Sequence, residues 1–148
     1  MQLVPITPQT YAAAVTLSVQ PDQVAFVASV QKSLADAYVY SDALFRLAVQ
    51  DNKIVGYLLL FPYQMEQRRV VNIVRLMIDQ QYQGAGLGRA LLEAALAWIA
   101  SFEPAVERVR ISTLARNTLA LSLYKKVGFV EKGIEEGEIA LYLDLLHG

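Results

Sequence analysis

The sequence predicts an α/β (α+β) fold, a mixed central β-sheet of six to seven strands flanked by about four helices, and three observations carry that expectation. The first is a strand, glycine turn, helix, strand succession between residues 70 and 113, because strands joined through a helix run parallel. The second is a pair of β-type runs at 44–49 and 54–61 around the polar turn Asp51-Asn52-Lys53, the pattern of an antiparallel hairpin. The third is size: 148 residues, 55% apolar and 18% charged, suit one domain over 1–148 with a single core and exclude a disordered tail.

Taken in order, Leu3-Val4-Pro5-Ile6 reads as a short edge strand, since proline cannot donate to a ladder. Thr7 and Pro8 suit the N-cap and first residue of a helix reaching about Ser18, which Gln20-Pro21-Asp22 breaks. A second helix is expected over 23–38, with Phe26, Val30, Leu34 and Tyr38 four apart on a core-facing side. Asp36, Tyr38, Tyr40 and Asp42 fall at or just beyond its end, where a chain leaving a helix for a sheet often lines a cleft; a polar turn with amphipathic tyrosines explains them equally well. The hairpin and a polar connection at 64–69 lead to 70–78, so apolar and β-branched that it reads as a strand covered on both faces. A helix of strong helix formers follows over 90–99, with Leu92, Leu96 and Ile99 on one face. Beyond Pro104, residues 108–113 alternate as a strand, and Asn117 and Gly128 are good caps for a short helix between them. Residues 138–145 alternate as a last strand after the turn Glu135-Glu136-Gly137.

Composition closes several functional classes. The chain has no cysteine, so disulfides, thiolate metal sites and a cysteine nucleophile are excluded. Its one histidine, His147, stands second from the end, where a frayed terminus or tag remnant explains it better than a catalytic base, and no metal site can be assembled. The longest apolar runs, 56–62 and 94–100, are far short of a bilayer span, and the amino terminus lacks a cationic and apolar signal region; no membrane partner and a cytoplasmic location are expected. Residues 1–67 carry three Lys/Arg against five Asp/Glu, residues 68–126 nine against four, and residues 127–148 one against five. The basic excess is small, interrupted and without the aromatic and basic motif of an RNA-binding sheet, so no nucleic-acid partner is expected. A polyanionic small ligand centred in the middle third explains the asymmetry, as would an ordinary solvated surface.

The turn between the central strand and its helix is Gln81-Tyr82-Gln83-Gly84-Ala85-Gly86-Leu87-Gly88-Arg89. Residues without Cβ let a backbone fold tightly and a ligand approach its N–H groups, and a helix start adds unpaired donors and a positive dipole end. That combination holds phosphate oxygens. A Walker A loop is absent, and the dinucleotide fingerprint fails because Arg89 stands where the third glycine belongs and the acid about twenty residues on, Glu103, precedes Pro104. What fits is Gln-x-x-Gly-x-Gly at Gln81, Gly84 and Gly86, which resembles the acyl-CoA pyrophosphate loop of the GNAT superfamily of N-acetyltransferases. A glycine turn that merely joins strand to helix would explain the hexapeptide alone. The downstream order of strand, Asn117, Tyr124 seven residues later and Gly128-Phe129 extends the likeness over 44–146. Gln20 to Ser29, Leu34-Ala35-Asp36-Ala37 and Arg75-Leu76-Met77-Ile78-Asp79 are, more narrowly, similar to bacterial spermidine/spermine acetyltransferases.

The resemblance implies a GNAT fold with acyl-CoA at the splay of two parallel strands, acetyl-CoA as cosubstrate and no metal. It implies that main-chain groups at Leu76, Met77 and Ile78 hold the pantetheine and thioester. N–H groups through Gln81, Gln83, Gly84, Ala85, Gly86, Leu87, Gly88 and Arg89 would hold the pyrophosphate, Asn117 would contact the CoA arm, and Tyr124 would protonate the departing sulfur. Plain packing is the alternative for Tyr124. Without cysteine or a Ser–His pair, direct transfer in a ternary complex is expected over an acyl-enzyme. The acceptor is expected to be a small primary amine, with polyamines such as spermidine or spermine leading, bound opposite CoA by the acidic flanks: Asp22, Asp36, Asp42 and Glu66 before the basic middle, Glu131, Glu135, Glu136 and Glu138 after it. Asp36, Tyr38, Glu66 and Glu138 are the candidate substrate contacts, although exposed, solubilising acids would look the same. The base is open among Asp79, Glu66, Asp36, Glu138 and a water chain. Another small amine or a protein amino terminus as acceptor, or a non-turning-over acyl-CoA sensor, stands as the alternative. The resemblance is compatible with a homodimer.

Overall fold

The parallel crossover expected between 70 and 113 organises the sheet. The computed structural model describes residues 1–23 and 28–145, with the side chain of Asp22 left out; Phe26 and His147 therefore lie outside the described residues. Strands β1 (Gln2–Val4), β2 (Leu44–Gln50), β3 (Lys53–Met65), β4 (Arg68–Ile78), β5 (Arg108–Thr113), β6 (Val130–Glu135) and β7 (Glu138–Asp144) form one sheet in the order β1-β2-β3-β4-β5-β7-β6. Every neighbouring pair is antiparallel except β4 and β5. Those two are joined through helix α3 (Leu87–Ala100), and such a crossover makes them parallel. The β2–β3 and β3–β4 turns each hold two residues at positive φ, Asp51 and Asn52 at 52° and 63°, Glu66 and Gln67 at 52° and 67°. Turns of that hand match the strand twist, so the connection expected over 64–69 shrinks to two residues.

Both faces of the middle strands are covered. On one side Leu58, Leu60, Val71, Ile73, Val109, Ile111 and Leu141 pack with α3 and with α4 (Thr118–Val127). Leu91, Leu92, Ala95 and Ile99 of α3 are fully buried there, and removing a leucine or isoleucine side chain from water stabilises by roughly 1.5–3 kcal/mol. On the other side Phe45, Leu47, Tyr57, Leu59 and Met77 lie under Ala14 of α1 (Tyr11–Ala14) and Val30 of α2 (Val30–Val39). The Tyr57 hydroxyl anchors α2 by meeting Ser33 Oγ at 3.0 Å and donating to the Ala28 carbonyl at 3.1 Å.

The two amino-terminal helices are shorter than expected. Thr7 N–H donates to Thr10 Oγ1 at 2.9 Å, and Thr16 Oγ1 donates to the Ala13 carbonyl at 2.7 Å. Threonine hydroxyls thus compete for backbone groups at both ends, leaving one turn of α-helix. In place of a helix from 23, Pro21–Gln23 forms a turn of 3₁₀ helix, and α2 starts where Ser29 Oγ accepts from Lys32 N–H at 3.1 Å. Tyr38, expected in the core, is 91% exposed. Eight residues at 100° each leave it about 80° off the Val30 direction, enough to carry it out of the buried stripe. Strand β6 was not expected as a separate element; all six residues are exposed, so no alternation marks it.

Candidate active site

A bulge opens the sheet. Leu59 pairs with Arg75 and Leu60 with Ile73, so Val74 is an extra residue in β4. The parallel pairing with β5 runs only from Val70 opposite Arg108 to Ile73 opposite Ile111. Beyond that, β4 bends away while Ser112 and Thr113 pair with β7 alone, and the main chain of residues 74–78 loses its partner on the β5 side. A side chain at Gly56 would run into the Met77 carbonyl, so glycine permits the close approach of β3 and β4 as the latter turns.

The splay holds a cavity of about 1020 Å³, lined by 73–78, the glycine turn, 111–113, the start of α4, Tyr124 and Glu138. Leu76, Met77 and Ile78 line it, as do Gln83, Gly84, Gly86, Leu87, Gly88 and Arg89; Gln81 and Ala85 of the expected set do not. Gly84 and Gly86 have φ of 86° and 76°, with nothing of the protein within 4 Å of where a Cβ would stand. Their glycines answer to backbone conformation and leave the approach to the loop open. Helix α3 begins after Gly86 without a side-chain cap, so its first N–H groups and positive dipole end are available to an anion in the cavity. Gln83 Nε2 donates to the Ile78 carbonyl at 2.9 Å, tying the turn to the strand end. Arg89 is ion-paired with Glu93 at 2.8 Å on the exposed side of α3.

Asp79, one of the candidate bases, is committed elsewhere. Its carboxylate accepts from Ser18 N–H at 2.8 Å and Gln81 N–H at 3.2 Å, which makes it the clip between the amino-terminal segment and the loop. Asn117 caps α4 by accepting from Ala120 N–H at 3.4 Å and donates to Thr113 Oγ1 at 3.1 Å, while also lining the cavity.

Tyr124 is 8% exposed and faces the cavity. Its hydroxyl has no hydrogen-bond partner among the described residues. Burial, and secondarily the negative charge of Glu138, pushes the phenol up to about 12. The ring is fixed from behind: Gly128, at φ 122°, ends α4 and lets Gly128 and Phe129 N–H bond to the Tyr124 carbonyl, and the Phe129 ring lies 6.2 Å from that of Tyr124. Glu138 lines the same cavity and accepts from Ser112 Oγ at 2.9 Å.

The other candidate contacts separate. Asp36 does not line the cavity but pairs with Arg75, which does, at 3.3 Å, and with Lys32 at 3.0 Å. Tyr38 points to solvent. Glu66 lies in the β3–β4 turn, on the order of 30 Å of strand from the splay; the tight hairpin carries it to the wrong end of β4. Arg75, Ser112 and Arg116 line the cavity and were not singled out as site residues. Arg75 left a signal, being the one charge within the apolar run 70–78. No group of three His, Asp or Glu that could hold a metal occurs among the described residues, and none of their helices is long and apolar enough to cross a membrane.

Donor-rich turn, unpaired strand edge, buried phenol and carboxylate together suit acid–base chemistry on a long, phosphate-bearing ligand. Residues 11–129 match the Acetyltransferase (GNAT) family. A spermine/spermidine N(1)-acetyltransferase of Bacillus subtilis (strain 168) is 29% identical over 136 residues, 86% of this chain and 86% of that protein. An N-alpha-acetyltransferase of Sulfurisphaera tokodaii is 32% identical over 101 residues, 61% of this chain and 58% of that protein. The crystal structure of a GNAT family acetyltransferase from Elizabethkingia anophelis with acetyl-CoA bound shares the fold, with a TM-score of 0.69, 22% identity and 97% of each chain covered.

Proposed function

The chain belongs to the GNAT family of acetyltransferases and uses acetyl-CoA; we propose that its acceptor is a polyamine such as spermidine or spermine, acetylated on a primary amine by direct transfer. The observation that carries this reading is the charge on the side of the splay away from α3. Asp36, Glu135, Glu136 and Glu138 stand there against Arg75, Arg110 and Lys32. Four carboxylates against three cations leave a net negative charge, which attracts a polycation and repels an acceptor bearing its own carboxylate. The Bacillus subtilis relative supports the same reading.

In this scheme the N–H groups of Gln83, Gly84, Gly86, Leu87, Gly88 and Arg89, where the turn lines the cavity, hold the pyrophosphate, Gln81 N–H being taken by Asp79, and Asn117 sits against the CoA arm. The main chain at Leu76, Met77 and Ile78 orients the pantetheine and donates to the thioester oxygen. Glu138 takes a proton from the acceptor ammonium. The freed nitrogen attacks the thioester carbon, the C–N bond forms, and the C–S bond breaks with its electron pair leaving on sulfur. Tyr124 supplies the proton that the sulfur takes up. A phenol at about 12 facing a thiol of about 8.5 holds its proton by roughly 5 kcal/mol. Transfer to sulfur therefore proceeds together with delivery of the second amine proton toward the phenol oxygen, and one proton in all is released to solvent.

A protein amino terminus is the second reading, favoured by the Sulfurisphaera tokodaii relative. Comparing kcat/KM by thiol release for spermidine, butylamine, an amino acid and a short peptide with a free amino terminus separates them. Spermidine is expected to lead, with a KM that rises with salt. Equal values, or a lead for the peptide or the amino acid, would overturn the polyamine reading.

A further inference from the structure

A second recess of about 310 Å³ opens on the sheet, lined by Tyr63, Asn72, Arg110, Glu135 and Glu136. It lies on the same face as the Ser112–Glu138 pair, because Arg110 stands two residues before Ser112 on β5 and alternate strand residues share a face. Its floor is built and rigid. Arg110 donates to Asn72 Oδ1 at 3.1 Å and to Glu135 at 3.1 Å through Nε, with Nη2 at 3.0 Å from the same oxygen. The Tyr142 hydroxyl donates to both oxygens of that carboxylate, at 3.1 and 3.3 Å. Glu135 is therefore spent on Arg110 and Tyr142. Glu136, at the tip of the β6–β7 turn, has no ion pair among the described residues, so the recess keeps one net negative charge beside the exposed side of Tyr63.

The recess and the cavity are spaced for one ligand. Two residues of strand separate Arg110 from Ser112, about 7 Å, on the scale of the nitrogen–nitrogen separation in an aminopropyl or aminobutyl unit. We infer that the recess is a distal acceptor subsite, in which Glu136 and Tyr63 hold a protonated amine of a polyamine whose other end is presented at Glu138. The inference rests on the polyamine reading and adds to it the part of the surface that measures chain length. A monoamine fills only the splay, whereas an acceptor with a second nitrogen one alkyl unit away reaches Glu136 as well. Tyr63, which lines the recess, brings an aromatic ring beside the same ammonium.

The test is the ratio of kcat/KM for spermidine to that for butylamine, at low salt, in the parent and in Glu136→Lys and Tyr63→Ala. Reversing an exposed charge removes an attraction and adds a repulsion, so Glu136→Lys is expected to lower the ratio about tenfold, through KM, and the drop is expected to shrink as salt is added. Tyr63→Ala is expected to lower the ratio severalfold with little salt dependence. A parent that does not distinguish the two amines removes the polyamine reading and this subsite together. A parent that prefers spermidine, with variants that keep the preference in full, removes the subsite alone.

Discussion

Replacing Tyr124 by phenylalanine isolates one hydroxyl. Tyr124 is a buried residue whose hydroxyl opens on the cavity and has no hydrogen-bond partner among the described residues, so its loss leaves no donor or acceptor stranded. A buried, bonded hydroxyl would contribute about 1 kcal/mol to folding; here the melting temperature is expected to stay level or rise slightly. Acetyl-CoA affinity, measured by calorimetry, is expected to change less than twofold, since the proposed scheme holds the cosubstrate by the loop and the strand edge. The chemical step loses its proton donor, which is worth about 10²- to 10⁴-fold in kcat. Single-turnover thiol release at saturating acetyl-CoA reads that step without product release. An unchanged single-turnover rate would return Tyr124 to packing.

The pH dependence supplies an independent check on the same residue. The acceptor must lose a proton to attack, so kcat/KM rises with pH, and a phenol pushed up to about 12 stays protonated across that whole rise. No descending limb from Tyr124 is expected below about pH 11; one centred near 10 would refute the burial argument. The stability sign follows from the same shift. The folded phenol sits above the unfolded value of 10.0, so its contribution is fully present below pH 10 and is lost between 10 and about 12 as the unfolded chain releases the proton first. Tyr124→Phe is therefore expected to flatten the alkaline decline in stability.

Gly86→Asp places a side chain at a φ of 76° and a negative charge at the helix start, and is expected to weaken acetyl-CoA binding at least about tenfold by calorimetry; a folded variant that binds like the parent would displace the loop assignment. Glu138→Gln is expected to lower kcat/KM for a primary amine about 10- to 100-fold near neutral pH, with the deficit shrinking as pH approaches the free amine's own value of about 10. A deficit that is constant with pH would make Glu138 a binding residue only. Gly56→Ala drives a Cβ into the Met77 carbonyl, a backbone atom that cannot swing aside, so it is expected to destabilise by about 1–3 kcal/mol and to impair acetyl-CoA binding by moving β4. Native melting temperature with native affinity would show that the close approach of the two strands does not shape the splay.

The parts of this site that were legible in the sequence are those where one residue type answers one local demand. Gly84 and Gly86 supply positive φ, Asn117 an N-cap, Gly128 a helix stop, and each is readable from its neighbours alone. The crossover from β4 to β5 followed from strand and helix lengths. What was not legible depends on registry between distant segments. The Val74 bulge exists only as a mismatch between β3 and β4. Glu66 was placed near the site because a six-residue connection does not announce that two long strands will consume most of it. The first helix is shorter than its pattern suggests because threonine hydroxyls compete for backbone groups at its ends, and the chain beyond it is captured at the Ser18 N–H by Asp79, sixty-one residues away. Ser112 gave no sign of its role, since a serine in an alternating strand is ordinary until Glu138 on β7 is seen beside it.

That same Asp79 clip bears on how the two substrates meet. Ser18 N–H donates to Asp79, Gln80 N–H donates to the Ser18 carbonyl at 2.7 Å, and Gln80 Nε2 donates to Ser18 Oγ at 3.1 Å. Three hydrogen bonds thus fasten one point of the amino-terminal segment to the residues that open the glycine turn. The neighbouring Val19 and Gln23 line the cavity, so this part of its wall is fastened to the glycine turn. The other oxygen of the same carboxylate accepts from Gln81 N–H, the first residue of the turn. A carboxylate bonded on both sides fixes the Ser18 anchor relative to the turn. The turn and this wall of the cavity are thereby held as one unit, and a chain with no cysteine to carry the acyl group requires both substrates to meet in a ternary complex if no other side chain is acylated.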